Sequence, residues 1–138
     1  MKIVTWNVNS INARIEHLVR FIKKDQSDIY LIQELKCINE SFPYTEIEKL
    51  GYISYVEGQK AWNGVAILSK RKLKILNRKI PTFHDDAQSR FLETEIQINK
   101  IKKPIKLFCI YLPNGNPIET EKFDYKIKWM KKFNEYIK

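Results

Sequence analysis

The sequence predicts an α/β fold built on one mixed, mainly antiparallel sheet with helices on one face. Three observations predict it. Short apolar runs rich in Ile, Val, Leu and aromatic residues recur along the chain and end in polar or Gly-containing clusters, the pattern of strands and turns. Two longer segments instead place apolar residues at helical spacing: Ile11, Ile15, Leu18, Val19 and Ile22, then Phe123, Ile127, Met130, Phe133 and Ile137. Finally, 138 residues with 43% hydrophobic and 30% charged content match one domain able to bury a core, not a disordered chain.

The elements follow in order. An apolar strand over Lys2 to Trp6 leads into a polar loop, Asn7-Val8-Asn9-Ser10. A helix is expected from about Ala13 to Lys24, with Asn12 as its N-cap. The run Asp28 to Glu34 holds four consecutive apolar residues between polar ends, which reads as a central strand with a carboxylate at its C-terminal end. A short helix over Tyr44 to Leu50 closes on Gly51. Strands are then expected at Tyr52 to Glu57, Gly64 to Ser69, Leu73 to Leu76, Arg90 to Ile98 and Ile105 to Leu112. A last helix covers Glu119 to Tyr136, and its lysine-rich final turns suit the helix dipole. No repeat, low-complexity tract or Gly/Ser linker interrupts this order.

Composition bounds the function. No apolar run reaches the roughly 18 residues that span a bilayer, and the opening residues lack a signal-peptide pattern. A cytoplasmic protein with no membrane partner is therefore expected. Cys37 and Cys109 are the two cysteines; their spacing builds neither a zinc site nor a disulfide scaffold, and Cys109, inside an apolar run, reads as a small buried hydrophobe. The net charge of +9 attracts phosphate polyanions, although a compositional bias toward lysine would give the same number.

Three polar clusters sit directly after apolar strands: Asn7 with Asn9, Glu34 with Lys36, and Tyr111 with Asn114. Sites in α/β sheets gather where strands end, so these groups can converge in one crevice. An oxygen-rich cluster with a carboxylate suits a hard cation such as Mg²⁺. A metal flanked by basic and phenolic groups is equipment for phosphodiester hydrolysis. On the residues alone, Glu34 could equally be a solvated strand end and Tyr111 a packed core ring.

Longer motifs decide between these readings. Trp6-Asn7-Val8-Asn9-Ser10-Ile11-Asn12-Ala13-Arg14, Asp28-Ile29-Tyr30-Leu31-Ile32-Gln33-Glu34-Leu35-Lys36, Asn63-Gly64-Val65-Ala66-Ile67 and Tyr111-Leu112-Pro113-Asn114-Gly115 occur in that order, followed by Lys122-Phe123-Asp124-Tyr125-Lys126 and Trp129. Together they resemble the amino-terminal half of the exonuclease III and AP-endonuclease family of the endonuclease/exonuclease/phosphatase superfamily.

The resemblance implies half of a four-layer α/β sandwich, with residues 1–138 as the amino-terminal part of one domain whose carboxy-terminal part is absent. It implies Mg²⁺, or alternatively Mn²⁺, held by Glu34 with Asn7 in the same polar shell, and Tyr111 as the catalytic phenol reaching the phosphate. Asn114, Arg90, Lys36, Asn63 and Asn9 become candidates for contacts to phosphate or DNA. The implied substrate is double-stranded DNA with abasic sites or 3′ ends, incised or trimmed in base excision repair. Ser10 and Ser89 stand where the family usually has Gly, which leaves the geometry of those two loops open. His17 and His84 fall outside the family's motifs and read as ordinary.

The family's later motifs, an Asp-x-Asn pair that handles the attacking water and a terminal Asp-His pair, do not occur here; the aspartates are Asp25, Asp28, Asp85, Asp86 and Asp124. Losing members of a catalytic constellation costs orders of magnitude in rate, so the chain alone is expected to be nearly inert. It is also expected to leave apolar sheet surface exposed at Val65-Ala66-Ile67-Leu68 and Phe108-Cys109-Ile110. A second chain could supply the missing half; the alternative is a catalytically dead remnant that only binds DNA or a partner. A phosphatase of the same superfamily, acting on inositol phosphates or sphingomyelin, fits the Tyr-x-Pro-Asn-Gly and Lys-Phe-x-Tyr-Lys segments less well.

Overall fold

A computed structural model describes residues 1–99 and 101–138. The elements are β1 (Ile3–Asn7), α1 (Ile11–Asp25), β2 (Ile29–Gln33), α2 (Tyr44–Glu48), β3 (Ile53–Glu57), β4 (Val65–Ser69), β5 (Lys74–Asn77), β6 (Phe91–Ile96), β7 (Ile105–Ile110) and α3 (Glu121–Ile137). All expected elements form, with ends shifted by a few residues. The N-cap of α1 is Ser10 and not Asn12: the Ala13 amide donates to Ser10 Oγ at 3.4 Å, while Asn12 donates to the Ser41 carbonyl. Gln26 closes α1 in the left-handed region, its amide donating to the Ile22 carbonyl.

The strands divide into two sheets, where a single sheet was expected. The first has the order β1-β2-β4-β3 and the second β5-β6-β7. β1 runs parallel to β2, with Asn7 opposite Gln33, and the other pairings are antiparallel. The physical reason is visible in β4, which is buried on both faces. One face carries Ala66 and Leu68 against Leu18 and Ile22 of α1 and Ile47 of α2. The other carries Val65 and Ile67 against Leu92, Leu107 and Cys109 of the second sheet. A third cluster, Phe91 with Trp129, Phe83 and Ile80, seals the outer side of the second sheet under α3.

All four layers are therefore present: α1 and α2, first sheet, second sheet, α3. This overturns two expectations. Helices cover the outer faces of both sheets, not one face of one sheet. Val65, Ala66, Ile67, Leu68 and Cys109 are fully buried, because the second sheet folds back across the first and covers them. What stays open is the flank. Among the described residues β1 has β2 as its sole strand partner and β7 has β6. Val4 and Trp6 of β1 pack toward α1, and the alternate residues Ile3, Thr5 and Asn7 are exposed.

The buried stripe of α3 also differs. Tyr125, Trp129, Phe133 and Tyr136 face the sheet, whereas Met130 and Ile137 are exposed. Aromatic volume wins the interface over aliphatic periodicity: Trp129 stacks on Phe133, and Phe133 meets Phe91 and Phe108 edge-on. Lys132 pairs with Glu135 instead of serving the helix end. Among the described residues no helix is long and apolar enough to cross a membrane.

Candidate active site

Parallel pairing of β1 with β2 brings their C-terminal ends to one rim, so Asn7 and Glu34 leave adjacent strands side by side. Tyr111 follows β7 of the second sheet and reaches the same rim from across the sandwich. Its amide donates to the Arg90 carbonyl at 2.9 Å. Glu34 Oε1 accepts two hydrogen bonds, from Asn7 Nδ2 at 2.8 Å and from the Tyr111 hydroxyl at 2.7 Å. Lys36 Nζ faces the other oxygen, Oε2, at 3.4 Å, and donates to Asn9 Oδ1. The Asn9 amide in turn donates to Asn7 Oδ1 at 3.1 Å.

The backbone at this rim is held in unusual shapes. Glu34, Lys36, Asn9 and Ser10 have φ of 57°, 55°, 46° and 82°, left-handed values that cost non-Gly residues energy and recur at functional sites. The strain is held by long-range bonds: Ser10 to the Glu34 carbonyl, Leu35 to that of Gly64, and Lys36 to that of Asn63. Ser10 thus keeps the conformation a glycine would take freely. At the other departure from the family pattern, Ser89 ties its loop down, donating from Oγ to the Gly58 carbonyl and from its amide to Gln59 Oε1.

Arg90 lies over the Tyr111 ring at 4.7 Å and faces the Tyr125 ring at 5.8 Å. It donates to Gln88 and to the Tyr111 carbonyl. Its guanidinium therefore braces the phenol. Tyr125 is fixed by Asp86, whose carboxylate accepts from the Tyr125 hydroxyl.

These groups line a cleft of about 620 Å³ bounded by Glu34, Lys36, Trp62, Arg90, Tyr111 and Asn114. Asn114 Oδ1 accepts from Asn116 and its carbonyl accepts from Lys126. Gly115, at φ 74°, makes room for Lys126, since a Cβ there would lie 2.5 Å from Lys126 Cδ. The space left by the missing side chain is filled by this lysine. Asn63 is buried, and its amide nitrogen donates to both Gln59 and Gln88; it organises the loop below the cleft, and a phosphate contact would require releasing those bonds.

Sequence reasoning passed over Trp62 and Tyr125 as site residues. Trp62 is 68% exposed and lines the cleft mouth, on a loop where Ala61, Asn63 and Gly64 all have positive φ. The signal available was its place between Ala61 and Asn63-Gly64, a turn that turns a large ring outward. His17 and His84 are both exposed and neither lines the cleft.

The electrostatics follow from this packing. Burial pushes the Glu34 carboxyl upward, but the hydrogen bonds from Asn7, Tyr111 and Lys36 outweigh it and hold its pKa below the ordinary glutamate value. Glu34 is therefore ionised at neutral pH. Tyr111 moves up through burial and through its bond to Glu34, against the opposing pull of Arg90, so it remains a neutral donor.

A carboxylate and an amide oxygen at one rim have the hard-oxygen chemistry that Mg²⁺ takes, and Mg²⁺ is commonly held by one or two carboxylates plus substrate phosphates and water. The donors fit, but they are few. Among the described residues no three His, Cys, Asp or Glu side chains gather at one point, so most of the coordination must come from water, phosphate or another polypeptide.

Known proteins resemble this chain along nearly its whole length. The chain is 36% identical over 142 residues to exodeoxyribonuclease III of Haemophilus influenzae, covering 99% of this chain and 51% of that protein. A 3′ phosphatase, NExo, from Neisseria, solved with a product DNA hairpin, superposes with a TM-score of 0.91 at 31% identity over 99% of this chain and 51% of that one. An AP endonuclease from Archaeoglobus fulgidus gives 0.89 at 30%, with the same coverage. The chain thus spans about half the length of the relatives it matches. The profile of the Endonuclease/Exonuclease/phosphatase family matches residues 4–118, and this chain belongs to that family.

Proposed function

We propose that this chain is the amino-terminal part of a divalent-metal-dependent DNA phosphodiesterase of base excision repair, acting at abasic sites and 3′ ends in the cytoplasm. One observation carries the reading: the Tyr111 hydroxyl and the Asn7 amide meet on the same oxygen of Glu34, at 2.7 and 2.8 Å, at a cleft that Lys36, Arg90 and Lys122 also line. Glu34 with Asn7 would hold Mg²⁺ or Mn²⁺. When bound, that ion supplies Lewis-acid polarisation of the phosphate and an acidified water. Tyr111 is the catalytic phenol, donating to the oxyanion as charge develops. Arg90 holds its ring in place and meets phosphate with the guanidinium edge. Lys36, Asn9 and Asn114 contact the backbone phosphates, Asn63 shapes the loop beside them, and the exposed Trp62 offers an apolar face to a sugar or base.

The chain has no Asp-x-Asn or Asp-His sequence, and among the described residues Glu34 belongs to no cluster of three acidic or ligating side chains. Full turnover therefore requires residues beyond these 138, on the same or another chain, that pack along the β1 and β7 flank and deliver a general base. The competing reading, a remnant that binds DNA without cutting it, draws on the same shortage of carboxylates.

Incubation of the purified chain with an abasic-site duplex and Mg²⁺, with and without EDTA, separates the two. Slow EDTA-sensitive incision that disappears in Glu34→Gln supports the enzyme reading. DNA binding with no incision, unchanged by a supplied carboxy-terminal half of a relative, supports the remnant. Failure to bind DNA at all, at low salt where phosphate contacts are strongest, sinks both.

A further inference from the structure

We propose that Lys36 is the resident cation of the Glu34 carboxylate and that a divalent ion binds this chain only by displacing it. The inference rests on Glu34 being a metal ligand and deepens that reading. It begins with the two oxygens of one carboxylate. Oε1 is saturated by Asn7 and Tyr111, so Oε2 carries the open coordination positions. Lys36 Nζ stands 3.4 Å from that oxygen and is clasped on its other side by Asn9 Oδ1.

The lysine is placed there by its backbone. Its left-handed φ of 55° and the bond from its amide to the Asn63 carbonyl at 2.9 Å fix the direction from which the side chain starts. The side chains of Lys36 and Glu34 are 31% and 19% exposed, so the pair is shielded from much of the bulk solvent. With no three acidic or ligating side chains grouped among the described residues, a single ammonium suffices to neutralise the Glu34 carboxylate.

A divalent ion at Oε2 would face a positive charge a few ångströms away, and like charges at that distance repel strongly. Two routes relieve the repulsion. The ammonium can swing into solvent, or an arriving phosphate can draw it off as a new partner while its backbone stays anchored. The second route couples the two ligands: phosphate uptake frees the oxygen the metal needs, and metal and phosphate each raise the affinity for the other.

The test is Mn²⁺ binding followed by the EPR signal of the free ion, on the wild-type chain, Lys36→Met, Lys36→Gln and Glu34→Gln, each checked for folding by thermal melting. Lys74→Met, which removes a lysine paired with Glu95 outside the cleft, controls for the loss of one positive charge. The expected result is binding about tenfold tighter in both Lys36 variants, within twofold of wild type in Lys74→Met, and absent when Glu34→Gln is combined with either Lys36 variant. Addition of an undamaged DNA duplex should tighten binding in the wild type and do so less in the Lys36 variants. Unchanged or weaker binding in both Lys36 variants, or no binding in any chain, overturns the role of Lys36. Tightening by Lys36→Met that survives Glu34→Gln overturns instead the assignment of Glu34 as the ligand.

Discussion

Replacing Ile67 by Ala tests whether the two sheets pack face to face in a chain half the length of its relatives. Ile67 is the central residue of β4, fully buried, and it points into the cluster between the sheets with Leu92, Leu107 and Cys109. The substitution removes roughly three methylene equivalents at about 0.8 kcal/mol each, or ~2.4 kcal/mol of lost transfer free energy. Neighbours on both sheets are fixed by strand hydrogen bonds, so the hole collapses only partly and a cavity cost adds to this, giving about 3–4 kcal/mol. A domain of this size has about 5–15 kcal/mol of stability, so the variant should still fold. Urea unfolding is the assay, read by fluorescence and far-UV circular dichroism. Trp6 lies on β1 facing α1 and Trp129 on α3, so a shared transition with the circular dichroism signal tests whether the two sides of the sandwich unfold together. Ile53→Ala, on an edge strand and 44% exposed, is the control and should cost under about 1 kcal/mol. If Ile67→Ala costs no more than Ile53→Ala, the inter-sheet core does not exist in solution and the reasoning fails.

Two further substitutions probe the supports of the fold. Gly58→Ala should destabilise the chain by on the order of 1–3 kcal/mol, measured by thermal melting, because an added Cβ would lie 2.4 Å from the Cys37 carbonyl oxygen and 2.9 Å from the Asn39 amide, both backbone atoms. A neutral result would mean that the loop before Trp62 is not where the structure puts it. Glu93→Gln should cost about 1.5–3 kcal/mol at neutral pH. Glu93 is fully buried, and although burial raises its pKa, bonds from Asn77, Tyr136 and Lys106 lower it further. A depressed carboxyl contributes stability above its unfolded pKa and loses it as pH falls through the folded one. The gap between wild type and Glu93→Gln should therefore narrow as pH drops below about 4, and a gap that is constant with pH would contradict the assignment.

Much of this protein was legible in the residues alone. Each strand and helix appeared where apolar period and turn residues placed it, because those signals are local: four apolar residues between Asp28 and Gln33, Gly51 after α2, Ile11, Ile15, Leu18 and Ile22 along α1. The site was legible for the same reason, since Asn7, Glu34 and Tyr111 each follow an apolar strand and strand ends share a rim. Local signals also misled. The periodic stripe of α3 pointed to Met130 and Ile137 beside Phe133, and only packing revealed that Trp129 and Tyr136 share the interface with Phe133. The uniformly apolar run Val65 to Leu68 looked like a surface awaiting a missing half, when the chain covers it with its own second sheet.

The sequence by itself determined the family, the element order and the polar groups that gather where the strands end. Tertiary structure alone decided that the strands split into two sheets, that Glu34 Oε1 is shared by Asn7 and Tyr111, and that Lys36 stands at Oε2. The reason is range. Periodicity and turn chemistry act over a few neighbouring residues, whereas Glu34 and Tyr111 are 77 positions apart. Which atom of one meets which atom of the other is fixed only when the layers between them have packed.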